Sequence, residues 1–101
     1  MAKIKDVTLS FPPSESADVV GYKLYIEPIP TEVTHDSQGY DIGNNTSVLL
    51  NTLFEGTDGV YNIGVAAVDD AGNESDLSLM SDVPLDFVPP VPPGSLTITS
   101  L

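Results

Sequence analysis

A chain of 101 residues has room for one domain with one packed interior, and its 41% hydrophobic share contains no run long enough to span a membrane. Fifteen acidic residues against three lysines and no arginine give a net charge of −12, which repels phosphate backbones and anionic lipid surfaces alike. The chain is therefore expected to bind no nucleic acid and to insert in no membrane, and the absence of cysteine removes disulfides, thiolate metal sites and cysteine nucleophiles together.

Apolar spacing of the helical kind is nearly absent, and alternation with a period of two repeats instead. Val7, Leu9 and Phe11 alternate with Thr8 and Ser10, which predicts a strand with one buried face, stopped by Pro12 and Pro13. The run VVGYKLYIEP places Val20, Tyr22, Leu24 and Ile26 on one face and Gly21, Lys23 and Tyr25 on the other. A polar stretch, residues 31–45, is weak in strand signal apart from Val33 and Tyr40, with Gly43, Asn44 and Asn45 reading as a tight turn.

Next, TSVLLNTL predicts a strand burying Val48, Leu50 and Leu53. The turn formers EGTDG lead into VYNIGVAAVD, where Tyr61, Ile63, Val65 and Ala67 alternate cleanly. DDAGNESD is a turn by composition, and SLMSDVPLDF supplies a last strand before the proline cluster PPVPP. Short strands at this spacing, separated by turn signals, predict an all-β sandwich or barrel.

The succession VTLSF, GYKLYI, then the loop LFEGTDG into VYNIGVAAVDDAGNES resembles bacterial fibronectin type III domains over about residues 6–85. Phe11 stands where that family commonly has a core tryptophan. Tyr22, Leu24 and Ile26 follow its Tyr-x-Leu-x-aromatic strand, and Tyr61 and Leu53 match its corner tyrosine and the leucine partnering it. The resemblance implies an immunoglobulin-like sandwich of seven strands in two antiparallel sheets, residues 1–86. Its interior is expected to hold Val7, Leu9, Phe11, Tyr22, Leu24, Val48, Leu50, Tyr61, Ile63, Val65 and Ala67. It also implies a Tyr61 ring buried in the core, with the hydroxyl reaching a backbone group at the corner.

The family's opening phrase is displaced. Only MAKIK precedes VTLSF, whereas residues 87–101 form a proline-rich linker and a strand-like tail, PPGSLTITSL, that resembles the first strand of a following module. Leu96 and Ile98 are expected on one face of that tail, with Leu101 a further candidate. The expectation is an open sheet edge beside the first strand, and self-association in which residues 93–101 of one chain pair with that edge.

Candidate chemistry is sparse. The single histidine, His35, lies near Asp36 and Asp41, but no nucleophile-elbow glycines accompany it and no second histidine supports a zinc site. The acidic loop of Asp69, Asp70, Asn73, Glu74 and Asp76 has oxygens of the kind calcium takes, although its spacing is not that of an EF-hand. Tyr25 and Tyr40 are expected at the surface, where tyrosines can stack on sugars. No catalytic, cofactor or metal residue is assigned. The expected function is a non-catalytic spacer or protein-interaction module of a bacterial extracellular or surface protein, its partners being neighbouring domains or another protein. The alternative is an accessory carbohydrate- or calcium-binding module of a secreted polysaccharide-active enzyme. Any secretion signal is expected outside this chain, because MAKIKDVTLS has no apolar core.

Overall fold

The computed structural model describes residues 6–53, 58–86 and 90–99, with nothing said of the side chains of Thr52 and Leu53. Six strands and one helical turn follow in order: β1 (Thr8–Ser10), β2 (Val19–Pro28), β3 (Gly39–Gly43), β4 (Ser47–Leu49), α1 (Leu50–Leu53), β5 (Gly59–Asp69) and β6 (Ser78–Leu85). They form two antiparallel sheets, a pair β1–β4 and a four-stranded sheet ordered β3–β2–β5–β6. The chain is thus an all-β protein with the layering of a sandwich, and among the described residues it has six strands where seven were expected.

Strands β2 and β5 carry the large sheet because their β-branched and aromatic residues suit a pleated surface. Their ladder runs from Val19 opposite Asp69 to Pro28 opposite Tyr61. The main core lies between the sheets, where Tyr22, Leu24, Ile26, Ile42, Leu50, Tyr61, Ile63 and Leu85 are buried. Val7, Leu9, Phe11, Val48, Val65 and Ala67 pack against that cluster, so every residue expected in the interior faces it. Phe11 bridges the layers by an edge-to-face contact with Tyr22, their ring centroids 5.0 Å apart.

Three local expectations are corrected. Val20 was placed on the buried face of β2, yet it is 54% exposed and Val19 packs on the core instead. A register shift between Val19 and Gly21 inserts an extra residue there, and one extra residue turns the preceding side chains to the other face. The run TSVLLNTL is a strand only through Leu49. It then closes into the single turn α1, which buries Leu50 through helical rather than strand geometry. The polar stretch 31–45 contains β3, which pairs with β2 from Tyr22 opposite Gly43 to Tyr25 opposite Gly39.

The expected corner between Leu53 and Tyr61 falls largely on residues outside the described set, as do Phe87 and Leu101. Tyr61 itself is buried in the core. A different tyrosine closes a loop: the Tyr22 hydroxyl accepts the Ser14 backbone N–H at 2.9 Å, fixing the connection after Pro12 and Pro13. Residues 90–99 have no regular secondary structure and are exposed, Leu96 at 93% and Ile98 at 77%.

Candidate functional site

Polar chemistry gathers on the outer face of the large sheet, around a residue that was expected at the surface. Tyr25 is only 1% exposed, which removes it from any sugar-stacking platform. It points away from the main core and forms a second cluster with Val33 and Ala66, against which Leu77 packs. Tyr40 is half-buried and packs on the opposite, main core. The two tyrosines therefore do not share a face.

The position of the Tyr25 ring follows from its cross-strand neighbours. Gly39 stands opposite on β3 and Gly64 opposite on β5. A Cβ at Gly39 would sit 2.8 Å from the Tyr25 ring, and one at Gly64 would sit 3.0 Å from Val33, so both positions give up a side chain to make room. Val33 then closes over the sheet from the loop following β2.

Three polar or charged side chains surround the ring. The Tyr25 hydroxyl donates to the Glu74 carboxylate. The Lys23 ammonium lies 5.3 Å from the ring centroid, within cation–π range. The His35 ring stands edge-on at 5.9 Å. Burial, reinforced by the hydrogen bond and negative charge of Glu74 and by the charge of Asp36, pushes the Tyr25 phenol up to about 12. Tyr25 is thus a neutral hydrogen-bond donor throughout the physiological range.

His35 is anchored rather than poised. Its Nε2 lies 2.9 Å from the Ser75 carbonyl oxygen, which can only accept, so Nε2 carries the proton. A triad would need a histidine nitrogen facing a hydroxyl nucleophile, and this nitrogen faces a backbone carbonyl instead. The sequence placed His35 near Asp36 and Asp41; the fold ties it to the 69–76 turn.

That turn is built by its own side chains. Asp69 Oδ1 accepts the N–H groups of Ala71 and Asn73, and Oδ2 accepts from the Asn73 amide at 3.0 Å. These bonds hold the Asp69 carboxyl below the ordinary aspartate range, the Asn73 side chain contributing most. Gly72 takes the left-handed conformation, φ +87°, that the turn requires. Among the described residues no group of three or more histidine or acidic side chains converges as a metal cage. The acidic loop expected to offer calcium ligands spends the oxygens of Asp69 on its own backbone, and Glu74 on Tyr25. The 43–45 turn is closed similarly: Gly43 N–H reaches Asp41 Oδ1 and the Asn45 amide reaches the Ile42 carbonyl.

A second feature lies at the edge of the sandwich. A groove of about 380 Å³ opens between β1 and β6, lined by Leu9, Phe11, Tyr22, Val65, Leu79 and Met80 among others. It exists because a two-stranded sheet is too narrow to cover a four-stranded one. Met80, opposite the core residue Ile63, stays exposed as a result. The sequence pattern did not indicate the groove, since which residues line it depends on how the two sheets overlie each other.

Fold and sites together define an all-β, two-sheet module with a polar cluster on its outer face and an uncovered apolar groove at one edge. No family model, curated protein or solved structure matches the chain.

Proposed function

We propose that this chain is a non-catalytic spacer or protein-interaction module of the fibronectin type III kind, belonging to a bacterial extracellular or surface multidomain protein. The observation that carries the reading is the strand pairing. β1 pairs with β4, and β3–β2–β5–β6 form the second sheet, with Tyr22, Leu24 and Tyr61 in the core between them and Phe11 packed against it. Support also comes from the polar residues, whose hydrogen bonds serve the fold: Glu74 and His35 hold the 69–76 turn against the sheet, and Asp69 shapes it.

The accessory-module alternative draws no support from the tyrosines, because Tyr25 is buried. Co-sedimentation of the purified chain with insoluble cellulose and chitin separates the two readings. The chain is expected to stay in the supernatant, and retention on the solid would overturn the spacer reading in favour of the accessory one. Sequence flanking this segment in its gene is expected to encode further β-sandwich modules.

A further inference from the structure

The groove between β1 and β6 and the exposed tail, residues 94–99, are complementary in four independent respects. The first is hydrogen bonding. In the β1–β4 pair, Phe11 N–H reaches the Thr46 carbonyl and Leu50 N–H reaches the Val7 carbonyl, so the odd-numbered residues of β1 face β4. The N–H and C=O groups of Thr8 and Ser10 therefore point to the other side, along the open edge, where a further strand would pair.

The second respect is polarity. None of the fourteen residues lining the groove is charged, in a chain of net charge −12. The tail is equally uncharged: no Asp, Glu, Lys or Arg occurs among residues 87–101. Such a tail can approach this acidic body without like-charge repulsion from its own side chains.

The third is pattern. Leu96 and Ile98 alternate with Ser95, Thr97 and Thr99, so an extended backbone presents two apolar side chains to one face and hydroxyls to the other. The groove offers exposed Met80 together with Leu9 and Phe11 to the apolar face. Among the described residues both surfaces stand uncovered, Leu96 at 93% and Ile98 at 77% exposure.

The fourth is reach, which selects the donor. Leu85 ends β6 opposite Gly59, at the end of the sandwich where β2 finishes and β1 starts. A tail running from there along its own β1 has to begin pairing at once. The sequence instead interposes residues 86–93 with four prolines, a connection that extends about 25 Å in polyproline geometry. Val7 to Phe11 spans only about 13 Å of strand. The linker is long enough to clear that edge. Pairing within one chain would need the tail to turn back on itself after residue 94, whereas the edge of a second copy takes it without that reversal.

We infer that residues 94–99 of one copy add as a strand to the open β1 edge of a second copy, seating Leu96 and Ile98 in the groove between β1 and β6. This deepens the interaction-module reading by naming a partner. Failure of the test below leaves that reading standing, whereas retention on polysaccharide would remove it without touching strand addition. A six-residue strand is a small interface, so the association is weak and needs concentrations of roughly 10 μM to 1 mM to be seen.

The test uses two full-length variants. Leu96→Asp/Ile98→Asp leaves the sandwich intact and places charge on the donated strand. Ser10→Pro removes an edge-facing N–H from the acceptor while keeping the β1–β4 ladder, and circular dichroism confirms that its strands persist. Light scattering of the parent chain should rise from 10.7 kDa to at least twice that mass with concentration. Each variant alone should stay monomeric. Mixed together they should associate one to one, since the first supplies an open edge and the second an intact tail. A parent chain that stays monomeric at the highest concentration, association that survives either variant, or a mixture that stays monomeric would each overturn the inference.

Discussion

Tyr25 concentrates several forces on one side chain, and each has a separable consequence. Its ring fills the space left by Gly39, its hydroxyl ties the sheet to the 69–76 turn through Glu74, and Lys23 and His35 flank it. The phenol is raised to about 12 in the folded chain, against about 10 unfolded. The folded state thus favours the protonated form. That contribution to stability is fully present below pH 10 and is lost as pH rises through 12. Tyr25→Phe keeps the ring and removes the titration, so it should flatten the fall of melting temperature between pH 10 and 12. A variant whose alkaline limb matches the parent's would show that the hydroxyl is not held as described. Nothing in the sequence announces this cluster. Tyr25 sits on the polar face of an alternating strand, and only the fold brings Val33 and the two glycines to it.

At the scale of the element, β2 and the 47–53 segment show where a period of two stops being informative. The alternation Tyr22, Leu24, Ile26 is legible because each side chain meets the same core. At the start of β2 the bulge shifts the pattern, and a bulge is set by the partner strand, which the local sequence does not contain. Val19→Ala should accordingly cost about 1 kcal/mol or more, and Val20→Ala less than about 0.5 kcal/mol. Chemical denaturation of the two variants checks this. The reverse order would restore the unbulged strand. For TSVLLNTL, Leu50 is buried in a strand or in a helical turn alike, so burial was predictable and the backbone was not. The turns at 43–45 and 69–76 were legible, because Asp69, Gly72 and Gly43 act through bonds and backbone angles within a few residues of themselves.

On the scale of the whole molecule, charge and the unequal sheets dominate. A net charge of −12 on 101 residues means that carboxylates repel one another across the body. Asp86 illustrates it: hydrogen bonding to Asp58 and that neighbour's negative charge raise its carboxyl above the ordinary aspartate range. An acid raised on folding stabilises the folded state as pH falls through its folded value, and costs stability once both carboxyls ionise. Salt screens such repulsion within about 10 Å at 0.1 M. The melting temperature should therefore rise on going from low salt to about 0.5 M sodium chloride, where the screening length is shorter still. A melting temperature that falls with salt would mean that attractive pairs outweigh the repulsion.

The same unequal sheets leave, among the described residues, an acceptor edge on β1 that residues 90–99 do not cover. Amide hydrogen exchange along β1 reads it residue by residue. In a dilute sample the amides of Leu9 and Phe11, bonded toward β4, should exchange slowly while those of Thr8 and Ser10 exchange fast. Raising the concentration should slow Thr8 and Ser10 alone. Protection of Thr8 and Ser10 already at high dilution would contradict the account, since it would mean that the chain closes its own edge.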